Sequence, residues 1–173
     1  MAETRLNDGR AGDVAIGGTY SRYRQPEPAI AAQILHALGD SQSILNVGAG
    51  AGSYEPVNRD VTAVEPSASM RAQRPSHLPP AIDAVAENLP FANDCFDASM
   101  ATVTLHQWSD LEAGLAEMRR VTIGPVVLLV CDPTRMHEYW LKDYIPEVRE
   151  NEARRFPPHD RKAEAIEGNV VGE

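Results

Sequence analysis

The stretch Ser43-Ile44-Leu45-Asn46-Val47-Gly48-Ala49-Gly50-Ala51-Gly52, read together with Val61-Thr62-Ala63-Val64-Glu65, decides the fold. Ser43 to Val47 is a short, mostly apolar run that stops abruptly in alternating glycines. Such a run, bounded by glycines, reads as a strand buried on both faces of a parallel sheet. The bend after it lacks side-chain bulk, so backbone can approach a ligand closely, and a helix opening there would aim its first amides into the crevice. Val61 to Val64 reads as a second strand, and Glu65 ends it. A carboxylate at that strand tip can accept hydrogen bonds from both ribose hydroxyls of an adenosine ligand. The turn is GxGxG, and the third glycine of the dinucleotide fingerprint falls on Ser53. That spacing disfavours a nicotinamide dinucleotide without removing it from consideration.

Working outward, Pro26 and Pro28 mark a helix start, and Ile30, Ile34, Leu35 and Leu38 recur at helical spacing until Gly39. Ser67 is placed to cap a short helix through Met70 and Arg71. Ala81 to Val85 reads as a weak third strand, and Phe96 to Leu105 contains a fourth with Met100, Val103 and Leu105 as core candidates. Ser109-Asp110-Leu111-Glu112 has the form of a capping box, opening a helix with Leu111, Leu115 and Met118 on one face. Pro125 to Cys131 is the clearest strand. Strands alternating with helices predict an α/β fold: a Rossmann-like, doubly wound, mostly parallel sheet with helices on both faces.

The chain has 173 residues, the size of one ordinary domain. Residues 1–18 read as a flexible arm, 19–132 as the cofactor-binding core, and 133–173 as a helical lid with a shortened C-terminal segment. Its net charge of −9 repels a phosphate backbone, and the densest basic cluster, Arg149 to Arg155, mixes both signs. A small molecule is favoured over nucleic acid as substrate. No apolar run approaches the roughly 20 residues needed to span a bilayer, and the N-terminus lacks a signal-peptide core, so a cytoplasmic protein with no membrane contact is expected. Cys95 and Cys131 have no metal-like spacing, and the histidines have no metal-like partners, so no metal site is expected. Cys131 reads as a core thiol and Trp108 as structural.

Five segments carry a resemblance. SILNVGAGAGSYEP, VTAVEPSASM, AENLPFANDCFDAS, TLHQWSD and LAEMRRV occur in the order and spacing of class I S-adenosylmethionine-dependent methyltransferases. The chain is similar in particular to the small-molecule group related to the ubiquinone and menaquinone biosynthesis enzymes, roughly from Thr19 to Phe156. The resemblance implies S-adenosylmethionine as cofactor, with Gly48, Ala49 and Gly50 lining its methionine and ribose side. It implies Glu65 on the ribose hydroxyls, Pro66 and Met70 beside the adenine, and Ala86 and Glu87 at the adenine edge through backbone amides. Thr102 to Leu105, including Thr104, match positions beside the reactive methyl. His106 matches a frequent histidine of the motif and is the candidate general base, or else packs beside the cofactor. Tyr20 and Arg24 match a segment that closes over the cofactor.

Departures accompany the match. Asn46 stands where an acid is usual two positions before the first glycine, which implies weaker electrostatic support for the cofactor's ammonium. Val85 stands where many relatives have Asp, and Thr122-Ile123-Gly124-Pro125 replaces a Lys-Pro-Gly-Gly turn. Relatives carry two further strands, so an incomplete C-terminal sheet edge is expected, and with it a possible homodimer through the uncovered strand. Tyr139, Trp140 and Tyr144 form a stripe that either packs a helix or walls an acceptor pocket. The alternatives to a methyltransferase are a catalytically impaired S-adenosylmethionine-binding protein and an NAD-dependent oxidoreductase.

Overall fold

The structure, a computed structural model, describes residues 26–130. Helix α1 spans Pro28–Leu38, β1 Ser43–Val47, β2 Asp60–Val64, α2 Ala68–Arg71, β3 Ala98–Thr102, α3 Leu111–Val121 and β4 Val126–Leu129, with a 3-10 turn at Leu105–Gln107. The strands form a parallel sheet in the order β2-β1-β3-β4. The chain thus leaves β1 towards β2 and later returns to β1's other side as β3. In open α/β sheets that reversal marks the ligand crevice, at the carboxyl ends of the strands.

Period-two alternation divides the apolar side chains between the two faces of the sheet. Leu45, Val47, Val64 and Ala101 pack with Leu115, Met118 and Val121 of α3, while Ile44, Val61, Ala98 and Met100 pack with Ile34 and Leu38 of α1. Helices therefore cover both faces, as the alternating pattern predicts. Pro28 suits the first turn of α1, where its missing N–H costs nothing. Ile30 N–H donates to Glu27 Oε2 at 2.9 Å, and Gly39, at φ +58°, ends the helix. Leu35 is 40% exposed, off the buried face.

Three expectations are corrected. Residues 48–59 connect β1 to β2 through turns with no α-helix, so the Gly-rich bend does not open a helix N-terminus. Twelve residues barely span a parallel crossover, and Tyr54 at φ +66° followed two residues later by Pro56 breaks helical propagation. The third strand, expected at Ala81 to Val85, shrinks to a single parallel bridge between Ile82 and Val64. Pro79 and Pro80 just before it have no amide to donate to a ladder. At α3 the cap is Asp110, whose carboxylate accepts from Ala113 N–H at 3.0 Å, and not Ser109.

Val103 is a smaller correction. It is half-buried, not core, and sits at φ +53°, a left-handed conformation costly for a β-branched residue. Cys95 is exposed. Tyr20, Arg24, Cys131, Tyr139, Trp140, Tyr144, the N-terminal arm and the lid lie outside the described residues.

Candidate functional site

The site is assembled where β1 and β3 separate. Gly48, Gly50 and Gly52 take φ values of +67°, +52° and +92°, a sequence of left-handed steps that side-chain-bearing residues resist. Gly48 is fixed by packing as well, because a Cβ there would collide with the Thr104 side chain from beyond the end of β3. Thr104, 6% exposed, thus closes the base of the bend. A Cβ on Gly50 would meet the terminal methyl of Met70 at 3.2 Å, so Met70 lies over the bend from α2.

Glu65 stands opposite, at the tip of β2, 7% exposed. Gly50 N–H donates to its Oε2 at 2.8 Å, and Ser67 N–H to its Oε1 at 2.8 Å. Two charge-assisted bonds thus tie the bend and the start of α2 to one carboxylate. The backbone seats the same acid. Ala49 N–H donates to Val64 O at 2.9 Å, Glu65 N–H donates to Ile82 O at 3.0 Å, and Arg71 Nη1 donates to Glu65 O at 2.7 Å. The bend and the strand-tip acid that the sequence singled out are therefore hydrogen-bonded neighbours. A carboxylate has about four acceptor positions, so one such group can hold several donors at once.

Pro66 is exposed at this rim, and Met70 is half-buried. Ala86, 5% exposed, belongs to the core against Gly114 and Leu115. Glu87 turns towards α3. Its Oε1 accepts from Ser109 N–H at 2.7 Å, Ser109 Oγ at 2.8 Å and Asp110 N–H at 3.1 Å. Burial works against the Glu87 charge, but the amides of Asp110 and Glu87 and both donors of Ser109 outweigh it and hold the carboxyl below its ordinary range. Both side chains are thus committed to the frame.

Thr102 ends β3 half-buried, and His106 sits half-buried in the 3-10 turn that follows Thr104. Trp108 packs on the core and covers Gly114, where a Cβ would strike its ring. Among the described residues no group of His, Cys, Asp and Glu could hold a metal ion, and no helix is long and apolar enough to cross a membrane.

Sequence reasoning missed what lies under the bend. Asn46, fully buried, donates from Nδ2 to Glu55 Oε1 at 3.0 Å. Arg74 grips the same carboxylate from Nη1 at 2.9 Å and Nη2 at 2.8 Å. Asn46 was noticeable as a departure from an acid, but nothing in the spacing ties it to Glu55 or to Arg74.

A crevice of this kind defines a Rossmann-like nucleotide-binding class. Within that class, residues 45–129 match a family described as a methyltransferase domain. The chain is 34% identical over 99 residues to a demethylmenaquinone methyltransferase of Mycolicibacterium paratuberculosis, covering 55% of this chain and 43% of that protein. Among solved structures it resembles a putative methyltransferase from an antibiotic biosynthesis pathway of Anabaena variabilis, at 31% identity and TM-score 0.75, over 83% of this chain and 61% of that one. An S-adenosylmethionine-dependent methyltransferase of Thermotoga maritima, described as a possible histamine N-methyltransferase, matches at TM-score 0.66 over 92% of this chain and 79% of that one. Its 19% identity speaks for the fold alone. The chain thus spans less than half of its curated relative and about three fifths of the Anabaena protein. Over residues 45–129 the chain thus matches the methyltransferase-domain family, in a fold it shares with S-adenosylmethionine-dependent methyltransferases.

Proposed function

We propose that the protein transfers the methyl group of S-adenosylmethionine to a small-molecule nucleophile. The observation that carries this reading is the 2.8 Å bond from Gly50 N–H to the Glu65 carboxylate at the switch point of the sheet. It joins a bend with no side chain larger than a methyl to a buried acid, which are the two features an adenosyl group needs for close approach and for its ribose hydroxyls.

In this reading Gly48, Ala49 and Gly50 line the methionine and ribose side, and Glu65 receives the ribose. Pro66 and Met70 border the adenine, and Ala86 and Glu87 offer it their backbone. Thr102 and Thr104 flank the reacting methyl. Tyr20 and Arg24, outside the described residues, are further cofactor-binding candidates. When bound, the cofactor's sulfonium would supply a methyl for in-line displacement, the acceptor forming the new bond to carbon as the sulfur–carbon bond breaks and the sulfur is left as a neutral thioether. The chain's own work is to hold both reactants in line and to keep water away. His106 takes a proton where the acceptor must lose one.

Two features support a small acceptor. The net charge of −9 disfavours polyanions, and the Mycolicibacterium relative is named for demethylmenaquinone. Titration calorimetry with S-adenosylhomocysteine and, separately, NAD tests the cofactor: binding of the former alone is expected, and binding of NAD alone overturns the reading. Transfer of label from methyl-labelled S-adenosylmethionine into a metabolite mixture then tests the acceptor class.

A further inference from the structure

Three buried polar side chains meet beneath the Gly-rich bend. Asn46 belongs to β1, Glu55 stands at the foot of the bend, and Arg74 follows α2. The Glu55 and Arg74 side chains are 1% and 4% exposed, and Asn46 is fully buried. Arg74 also donates to Pro79 O, from Nε at 3.1 Å and Nη2 at 2.9 Å. Gly52 rests on the cluster, since a Cβ there would strike Leu78, lie 3.3 Å from Arg74 Nη1 and lie 3.6 Å from Glu55 Oε2. One ion pair and one amide therefore connect the tip of β1, the bend and the 74–79 segment.

The chemistry of position 46 follows from that geometry. Its amide donates to Glu55 Oε1 at 3.0 Å. A carboxylate in the same place would have no proton to give and would set a second negative charge against the first in a desolvated site. Arg74 is already engaged with both oxygens of Glu55. We infer that Asn46, Glu55 and Arg74 are positioning residues setting the bend against the segment that follows β2, with Glu55 as the single acid that the cluster accommodates. An acid introduced at position 46 weakens cofactor binding and does not improve it. The inference rests on the reading of those two segments as walls of the cofactor site.

The test compares the wild type with Asn46→Asp and with the exchanged pair Asn46→Asp/Glu55→Gln, which keeps one acid and one amide. Each protein is followed by thermal melting, by calorimetry with S-adenosylhomocysteine and, in turnover, by the split between KM for S-adenosylmethionine and kcat. Asn46→Asp is expected to lower Tm by roughly 5–10 °C and to raise Kd and KM about tenfold or more with kcat within about threefold. The exchanged pair recovers most of both losses. Binding by Asn46→Asp as tight as wild type overturns the inference, and so does an exchanged pair no more stable than Asn46→Asp, including one that fails to fold. A wild type that does not bind S-adenosylhomocysteine sinks the cofactor reading instead, while the order of the three Tm values still decides the charge arrangement of the cluster.

Discussion

At the scale of single residues, two glycines with positive φ carry different loads. A Cβ at Gly39 meets nothing within 4 Å whereas one at Gly48 collides with Thr104. Gly39→Ala is expected to cost about 1–2 kcal/mol, the positive-φ penalty alone. Gly48→Ala adds overpacking of about 1–3 kcal/mol, and urea unfolding of the two variants checks the difference. Glu65→Ala removes the acceptor for two amides and, on the proposed reading, for the ribose, so S-adenosylhomocysteine binding should weaken by about 1.5–3 kcal/mol. Unchanged affinity in calorimetry contradicts the site. His106→Ala should lower kcat by about 10²–10⁴ if the histidine takes the acceptor's proton. Turnover near wild type, once an acceptor is known, leaves His106 a packing role.

Among the elements, α3 shows how a short motif was read one residue off. Ser109 and Glu112 have capping-box spacing, but Glu87 reaches from 22 positions earlier and takes the Ser109 amide and hydroxyl. That engagement leaves Asp110 as the cap on Ala113 N–H. Asp110→Ala should therefore destabilise the protein by about 1 kcal/mol, measured as a shift in the denaturant midpoint at unchanged slope. Ser109→Ala leaves that cap in place, and a loss from it equal to that from Asp110→Ala would contradict the assignment. The first crossover also differs from expectation: the Gly-rich bend gives one amide to Glu65 and opens no helix N-terminus.

For the whole molecule, charge sets the response to acid. Asp97 is held below its ordinary 3.8 by the amides of Ser43 and Gln42, which join the starts of β1 and β3. The Arg120 guanidinium beside Glu117 lowers that carboxyl from its ordinary 4.5, and Glu87 is lowered from 4.5 although burial opposes it. A carboxyl with a lowered folded pKa binds fewer protons folded than unfolded, so its stabilisation is complete above the unfolded value and lost as pH falls through the folded one. The contribution of these groups to Tm should thus be constant above pH 4.5 and decline below it. Melting curves across that range check the sign. Glu87→Gln should flatten the decline, and a Tm that rises on acidification contradicts the scheme.

The sequence alone determined the parts that depend on local pattern. The short apolar runs of Ser43 to Val47 and Val61 to Val64, helical spacing from Ile30 to Leu38, and glycines followed by Glu65 mark the sheet, its cover and one strand-tip acid, because apolar runs, periodicity and φ preference are properties of neighbouring residues. Tertiary structure decided whatever depends on partners distant in the chain. Glu87 displaced Ser109 from its cap, Thr104 made Gly48 obligatory, Ile82 found one bridge where five residues read as a strand, and Asn46 turned out to serve a buried carboxylate nine positions away. Hydrogen bonds and steric exclusion act through space over a few ångströms, and no spacing rule along the chain encodes which groups the fold will bring that close.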